Sequence, residues 1–186
     1  SNIAIVYSTI VYVLRLLIGN DVPLNDGLMK KVKITSAKSF ITPIFELNPD
    51  NCPAVVGGNT EVSQRITDTI LKAFQLSACS QGTMNNFLFG NNKYSYYETI
   101  GGGTGATRNK KGRSAVHQHM TNTKITDPEE LEFRYPVILE KFEIRKNSGG
   151  KGLNNGGDGI TRQLQFLQPM TATILAQHRT IAPYGM

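Results

Sequence analysis

Cysteine is scarce in this chain of 186 residues, which has only Cys52 and Cys79. Two cysteines are too few for a disulfide framework or for a zinc site built on thiolates. Cys79 lies in a segment of small residues, where a buried thiol and a nucleophile are both conceivable and the buried thiol is favoured. The scarcity leaves a reducing compartment as the default, and we expect a cytoplasmic protein.

Long apolar runs are missing as well. The most apolar stretch, residues 3–18, is shorter than the roughly 20 residues that cross a bilayer, and it contains Arg15. No basic segment precedes it and no small-residue cleavage site follows it, so it does not look like a signal peptide. We expect a buried helix and no membrane association. A helix of this kind at the start of a chain needs a partner to cover it, which suggests a piece of a larger protein.

Charge is moderate, with 18% charged and 39% hydrophobic residues, which excludes a disordered chain. The formal net charge is +6, and the basic residues are scattered except at 30–31 and in the stretch RNKKGR at 108–113. A solvated loop and a phosphate contact both explain that stretch. A basic nucleic-acid-binding module stays an alternative function, but no aromatic residues interleave with the basic ones, so we expect no nucleic-acid partner.

Glycine is the one excess: 18 residues, clustered at 57–58, 101–105 and 149–159. The run at 101–106 can be aligned with a dinucleotide fingerprint, but residues 107–112 lack the apolar periodicity of the helix that must follow. No Gly-Lys-Ser/Thr ending is present, so it is not a Walker A loop. A flexible loop and a nest of backbone N–H groups beside a site both remain, and the latter would use Gly101, Gly102, Gly103 and Gly105. We read the late glycines as strand connectors without chemistry.

Apolar periodicity predicts helices early and strands late. The helices are expected at 7–17, from Asn59 or Thr60 through Phe74, and from an Asp127 N-cap with Glu130 completing a capping box. A hairpin is expected from Phe87 to Ile100 around a turn at 90–92, after a short strand at 32–34. Further strands are expected at 137–145, 159–167 and 171–178. The predicted fold is α+β in one domain, with helices in the N-terminal half and mainly antiparallel strands in the C-terminal half.

The most informative pattern is His117-Gln118-His119, which leads into the hydrogen-bonding side chains of residues 121–123. On an extended segment the two imidazoles point to the same side, about 7 Å apart. They could then share a metal, or act as a base and an orienting group. Spacing does not identify further ligands, and the metal stays unknown. In the alternative, one histidine caps a loop and the other faces solvent. Arg65 either binds a substrate carboxylate or forms a surface ion pair.

Five collinear blocks resemble the hydantoinase B/5-oxoprolinase family. They are VVGGNTEVSQRITDTI (55–70), SQGTMNNFLFGN (80–91), YYETIGGGTGA (96–106), VHQHMTNTKITDPEELEFRYPV (116–137) and GGDGITRQLQF (156–166). The stretch YVLRLLIGNDVPLNDG (12–27) fits the same family upstream. The resemblance covers most of the chain and implies ATP-dependent opening of a cyclic amide. The substrate would be 5-oxo-L-proline, converted to L-glutamate, or a hydantoin.

The resemblance also implies partners and cofactors. ATP and Mg²⁺ would belong to a hydantoinase A-like subunit or N-terminal half, and the full-length form would be a homo-oligomer. The chain is far shorter than the family's B region, so we expect a single domain, the C-terminal portion of that region, truncated at both ends and inactive alone. The resemblance allows a divalent metal in the absent N-terminal part, and no cofactor is expected in the fragment. A structural, subunit-holding role is the alternative.

Candidate roles follow residue by residue from the matching motif HxHMTNT. His117 and His119 are the catalytic candidates, one of which would assist water attack, while Thr121 and Asn122 would orient the ring. Glu98, in the YYET block, is a weaker candidate for a second acid or base. One local departure is that Asn154 and Asn155 precede the GGDG block, where the family usually has a basic residue.

Overall fold

The computed structural model describes residues 2–19, 21–37, 42–54 and 57–185. Its α-helices are α1 (Ile3–Ile18), α2 (Gln64–Ala73) and α3 (Pro128–Arg134). Its strands are β1 (Asn85–Gly90), β2 (Ser95–Ile100), β3 (Val137–Arg145), β4 (Gly159–Phe166) and β5 (Thr171–Leu175). The predicted α+β class, with early helices and late antiparallel strands, is confirmed. The short strand predicted at 32–34 is wrong, because these residues are irregular.

The strands form two antiparallel sheets. One has the order β2–β1–β5 and the other pairs β3 with β4. The predicted hairpin is present as β1 and β2, and its turn is held by Asn91, whose side-chain oxygen accepts a hydrogen bond from the Lys93 N–H at 2.9 Å. A bulge interrupts the β3–β4 ladder between Leu139 and Lys141, so the strand bends there.

The apolar core lies between the two sheets and α3. Phe89, Tyr96, Leu131 and Val137 are buried there, and partly buried apolar side chains surround them. The rings of Phe89 and Tyr96 lie 4.7 Å apart between centroids, and other aromatic rings meet them edge to face. We call this group the aromatic core.

Helix α3 begins as its sequence predicts. Pro128 occupies the first turn, and the Asp127 carboxylate accepts a hydrogen bond from the Glu129 N–H at 3.0 Å. The predicted capping box is wrong, because Glu130 instead forms an ion pair with Arg134 one turn later. The helix ends before Pro136, and its Leu131 side chain is fully buried in the aromatic core.

Helix α1 has the predicted position but not the predicted burial. Asn2 caps its first turn and Gly19, with φ of +66°, ends it in the left-handed conformation. Only Thr9 and Val13 are buried, whereas Leu16 and Leu17 are 49% and 42% exposed. The expected buried core helix is therefore buried on one side only. No helix in the described ranges is long and apolar enough to cross a bilayer.

Helix α2 buries a polar face. A π-helical turn, Gly58–Ser63, leads into it without a side-chain cap, so the predicted caps Asn59 and Thr60 lie inside this turn. The periodic apolar residues predicted the helix, but its deeply buried side chains are Gln64, Thr67 and Asp68. Polar side chains are rarely buried this deeply unless they are hydrogen-bonded. The partners of this face define the candidate site.

Candidate functional site

Five side chains from four parts of the chain form the polar cluster: Tyr12 on α1, Gln64 and Asp68 on α2, Ser80, and His119. Gln64 has no exposed surface, and Asp68 and Ser80 are each 3% exposed. Helices α1 and α2 pack against each other and thereby bring Tyr12 close to the α2 side chains. The loop that follows α2 and the turn at 118–121 close the cluster from the other sides.

Asp68 is the charge at the centre of the polar cluster. Its Oδ1 accepts a hydrogen bond from the Ser80 N–H at 3.1 Å, and its Oδ2 accepts one from the Ser80 hydroxyl at 2.8 Å. The Cys79 thiol also donates to Oδ2, at 3.4 Å. Hydrogen bonds of this kind stabilise a buried carboxylate that would otherwise be costly to desolvate.

Gln64 ties the two loops of the cluster together. Its Nε2 donates to the Ser80 hydroxyl at 3.1 Å, and its Oε1 accepts from the Met120 N–H at 3.1 Å. The amide therefore fixes the position of the 118–121 turn relative to α2. A buried amide that is hydrogen-bonded at both its nitrogen and its oxygen fixes the position of its partners, because a displacement leaves one of these atoms without a partner.

His119 bridges α1 and α2. Its Nδ1 lies 3.0 Å from the Tyr12 hydroxyl oxygen, and its Nε2 lies 3.9 Å from Asp68 Oδ1. A carboxylate beside Nε2 favours the tautomer that carries the proton on Nε2, so the Tyr12 hydroxyl donates to Nδ1. In this arrangement the Tyr12 hydroxyl can transfer its proton to the His119 imidazole, and the Asp68 carboxylate stabilises the resulting imidazolium.

Burial sets the protonation state of this group. Desolvation lowers the pKa of His119 below its usual 6.5, and the nearby Asp68 carboxylate opposes that effect. Desolvation also raises the pKa of Tyr12 above its usual value. The imidazole is therefore neutral and the phenol protonated at neutral pH, which is the state required for proton transfer to His119.

The backbone at His119 differs from the extended segment that the sequence suggested. His119 has φ of +52° and lies in a turn in which the Thr121 N–H donates to the Gln118 carbonyl at 3.0 Å. The alternation rule for extended residues fails at such a turn, so that part of the prediction is wrong. Thr121 is fully buried, and its hydroxyl donates to the Gln118 carbonyl at 2.8 Å and accepts from the Gln118 N–H at 3.0 Å.

His117 is half-buried, and its Nδ1 is buried without a hydrogen-bond partner among the described residues. Desolvation lowers the pKa of this imidazole, and the Thr121 backbone opposes the effect. Within the described part of the chain, no three His, Cys, Asp or Glu side chains are arranged to hold a metal ion. The shared metal that the two histidines suggested therefore has no ligand set there.

Two other candidates have partners outside the polar cluster, and a third is exposed. Glu98 is 5% exposed and accepts a hydrogen bond from Arg162 Nε at 2.7 Å and another from the Tyr96 hydroxyl at 2.7 Å. Arg65 lies on the surface of α2 and forms an ion pair with Glu61 at 3.3 Å, which is one of the two predictions made for it from the sequence. Asn122 is exposed. Their assignments to chemistry remain predictions.

The glycine-rich segments at 101–105 and 149–159 are in contact in the fold. A cleft of about 1060 Å³ lies between residues 101–108 and 148–157, and residues 78–81 and 182–185 complete its walls. Backbones touch at its base: a methyl group at Gly103 would overlap the Gly157 carbonyl oxygen, and one at Gly105 would overlap that of Ala78. We call it the glycine cleft. Neither His117 nor His119 is among the described residues that line it, but Cys79 and Ser80 are.

Sequence reasoning missed Tyr12, Gln64, Asp68 and Ser80, as well as the joining of the glycine segments. One signal was present: residues 63, 64, 67 and 68 are all polar and share one side of a helix. A polar stripe of this kind is ordinarily read as solvent-facing. Cys79, for which a buried thiol was favoured, is only partly buried, and burial first and Asp68 second raise its pKa to about 12.

Comparison with known proteins places this geometry in a family. The family model described as Hydantoinase B/oxoprolinase matches residues 1–186. The chain is 49% identical to 5-oxoprolinase 1 of Arabidopsis thaliana over 184 residues, and 48% identical to 5-oxoprolinase of Dictyostelium discoideum over 183. Each alignment covers 98% of this chain and 14% of the relative, so the chain spans about one seventh of those proteins.

A solved structure shares the fold. The crystal structure of ATP-dependent caprolactamase from Pseudomonas jessenii superposes with a TM-score of 0.70 at 22% sequence identity, covering 94% of this chain and 32% of that one. The matched family model spans the polar cluster and the glycine cleft alike, together with the HxHMTNT motif. The chain belongs to the hydantoinase B/oxoprolinase family.

Proposed function

We propose that this chain supplies the water-activating part of an ATP-dependent cyclic-amide hydrolase. The observation that carries the proposal is the buried arrangement of Tyr12, His119 and Asp68, in which a neutral imidazole lies between a hydroxyl and a carboxylate. The similarity to proteins named 5-oxoprolinase supports the reaction class and favours 5-oxo-L-proline as substrate, with L-glutamate as product. A hydantoin is the alternative ring.

The chemistry explains why such an enzyme needs a base. A five-membered lactam is a poor electrophile, and phosphorylation of its carbonyl oxygen by ATP would provide a leaving group. Water then forms a bond to the ring carbon and loses a proton, the ring C–N bond breaks as the nitrogen takes up a proton, and hydrolysis of the resulting acyl phosphate releases phosphate and the open-chain acid. In the proposed step the proton of the water passes to the Tyr12 oxygen as the Tyr12 proton moves to His119 Nδ1, and Asp68 stabilises the imidazolium. His117, whose buried Nδ1 has no hydrogen-bond partner in the described part of the chain, is the second catalytic candidate.

The other assignments complete the proposal. ATP and Mg²⁺ would be held by a hydantoinase A-like subunit or domain, and the chain itself would form a single domain within a B-like region of a larger homo-oligomer. Asn122 and Arg65 would contact the substrate from the surface, while Thr121 acts by holding the turn that carries His119. Glu98 would serve as a second acid or base only if Arg162 released it.

The test is the variant His119→Asn in the full-length protein together with its hydantoinase A-like part. Asparagine tolerates the left-handed backbone found at His119 and can still hydrogen-bond Tyr12, but it cannot take up a proton. We expect 5-oxoproline-dependent ATP cleavage and L-glutamate formation to fall by about 10²–10⁴-fold, the usual contribution of a general base. Tyr12→Phe should lower the rate in the same direction.

The matched control is His178→Asn, which replaces the remaining histidine of the chain at a position that is also left-handed, with φ of +57°. His178 lies on the C-terminal segment, where its Nδ1 contacts the Ile181 carbonyl at 2.9 Å. This variant should retain its rate. Undiminished turnover in His119→Asn would remove the histidine from the mechanism. An unfolding midpoint equal to that of the wild type would show that a lower rate in this variant does not result from unfolding.

A further inference from the structure

We propose that the glycine cleft is a binding site for a phosphate-bearing small anion of about nucleotide size. The inference goes beyond the proposed hydrolysis, because it concerns a different cavity and does not depend on which ring is opened. The cleft shares Ser80 with the polar cluster but is otherwise lined by different residues, and no chemistry was predicted for its glycines at 149–159. Its charge, its walls and its size each point to the same ligand class.

The charge of the cleft is of one sign. Three charged residues line it, Arg108, Arg145 and Lys151, and all three are basic. No acidic side chain is found among the described residues that line it. A concave surface with cations of one sign concentrates anions, and arginine forms paired hydrogen bonds with phosphate oxygens.

The basic stretch RNKKGR is fixed at the rim of the cleft. Asn154 Nδ2 donates to the Arg108 carbonyl at 2.8 Å, and the Gly112 N–H donates to the Asn155 carbonyl at 2.8 Å. The Thr104 N–H donates in turn to the Arg113 carbonyl at 2.9 Å. These bonds tie the stretch at 108–113 to both glycine segments. The sequence allowed this stretch to be either a solvated loop or a phosphate contact. Its position against both glycine segments favours the phosphate contact.

Main chain forms part of the cleft walls, because 11 of the 31 lining residues are glycines. Glycines contribute a large share of the lining: Gly101, Gly102, Gly103, Gly105, Gly149, Gly150, Gly152, Gly156, Gly157, Gly159 and Gly185. Where side chains are absent, peptide N–H groups can approach a ligand directly, which is how glycine-rich segments hold phosphate groups. The N–H groups of Gly149, Gly152, Gly156, Gly157 and Gly159 already donate within the chain, so the other glycines of the cleft would supply those that meet a phosphate. The motif at 101–106 lacks the following helix of a dinucleotide fold, so this site would use loops in place of a helix N-terminus.

The size of the cleft exceeds the need of a small ring. At about 1060 Å³ it reaches the upper end of the volumes that enclose drug-sized ligands, roughly 300–1,000 Å³. A five-membered lactam alone would fill little of it. Cys79 and Ser80 line the cleft and also donate hydrogen bonds to Asp68, so an occupant would lie against Ser80, a member of the polar cluster.

Chemical footprinting of the full-length protein tests the proposal at the level of single residues. Arginines would be modified with phenylglyoxal and lysines by acetylation, at constant ionic strength, with and without sodium pyrophosphate or ATP, and mapped by mass spectrometry. We expect either anion to slow modification of Arg108, Arg145 and Lys151. Lys93 in the hairpin turn and Lys141 on β3 are the controls and should react at the same rate throughout, because both lie outside the lining.

Variants test the same point through affinity. The double variant Arg145→Gln, Lys151→Gln should weaken pyrophosphate protection of Arg108 by about tenfold or more, since each removes a charge-assisted hydrogen bond. Lys93→Gln with Lys141→Gln is the charge-matched control and should leave it unchanged. Gly150→Leu adds a side chain where no atom lies within 4 Å of the new Cβ, so it should fold, partly fill the cleft and also weaken protection.

Three results would overturn the proposal. One is equal reactivity of the three cleft residues with and without pyrophosphate and ATP. Another is protection by L-glutamate or succinate but not by the phosphates, which would make it a carboxylate site. The last is protection by mixed RNA alone, which would indicate a polyanion surface. None of these readouts requires turnover, so they remain informative if the His119 variant leaves hydrolysis intact.

Discussion

The polar cluster and the aromatic core are both buried, but for different reasons. The aromatic core joins the two sheets and α3 through apolar side chains whose removal from water stabilises the fold directly. The polar cluster instead buries a carboxylate, an amide and a mostly buried imidazole, and each must recover in hydrogen bonds what it loses in hydration. An apolar filling of the same volume would cost less.

The difference indicates where function and stability are separated in this molecule. In the proposed function, the buried hydrogen-bond network is retained for its chemistry although apolar packing could replace it. A buried ion pair lies beside the aromatic core, between Glu98 and Arg162, whose side chains are 2% and 1% exposed, and the Tyr96 hydroxyl donates to Glu98. The comparison predicts that changes in the aromatic core act on stability and changes in the polar cluster act mainly on rate.

The largest effect on stability is expected from Glu98→Gln. This change leaves the buried Arg162 guanidinium without its counter-charge, and its Nη1 and Nη2 already have no partner among the described residues. Breaking a buried pair from one side typically costs about 3–5 kcal/mol. Hydrogen exchange of peptides from β2 and β4 in the full-length protein should rise accordingly, whereas Glu143→Gln on the exposed side of β3 should not change it. Unaltered exchange would instead return Glu98 to the list of groups free for chemistry.

Leu131→Ala should have the next largest effect. Leu131 is fully buried between α3 and the sheets, so its truncation removes apolar contacts and leaves a cavity, which costs about 2–5 kcal/mol. The urea midpoint of the transition followed through the aromatic core should fall. Phe133→Ala, on the same helix but 89% exposed, is the matched control and should change stability little. A rate lost at unchanged stability in Leu131→Ala would contradict the separation drawn above.

The smallest effect is a pH dependence confined to the polar cluster. Burial lowers the pKa of His119 and of His117 below 6.5 in the folded chain, so the unfolded chain takes up protons first as pH falls. The free energy of unfolding should therefore be highest above about pH 6.5 and decrease below it, by at most about 1.4 kcal/mol per pH unit for each histidine.

The variant His119→Asn isolates this contribution. Between about pH 7.5 and about pH 5.5 its free energy of unfolding should decrease less than that of the wild type. Asp68, Tyr12 and the Cys79 thiol surround the site, and Asp68 opposes the shift. Urea unfolding at the two pH values gives the difference, and an equal decrease in both proteins would show that His119 titrates with its ordinary pKa in the folded state.

The fold was more predictable than the site because its signals are local. Asp127 and Pro128 mark the start of α3, and the turn after Gly90 marks the hairpin, since capping and turn preferences act over a few residues. The capping box failed because Glu130 had a competing partner, Arg134, that lies on the same face one turn away. Class and element order needed nothing beyond such local preferences.

The site depended on contacts between distant segments, which no local pattern contains. The HxH motif identified His119, but its partners Tyr12 and Asp68 lie 107 and 51 positions earlier in the chain. The extended geometry assumed for the motif failed because His119 adopts a left-handed backbone, which a β-alternation rule does not anticipate. No local pattern in the sequence predicts that residues 101–106 and 149–157 come into contact, because the sheets position both segments.

The contact between Gly103 and Gly157 has a mechanical consequence. Most neighbouring segments of a protein touch through side chains, which absorb small displacements by changing rotamer. Here the main chains of Gly103 and Gly157 are in direct contact, so a displacement of one glycine segment is transmitted to the other. An occupant that displaces one wall of the cleft would consequently also move the end of β2 at Ile100 and the start of β4 at Gly159, which adjoin the two glycine segments.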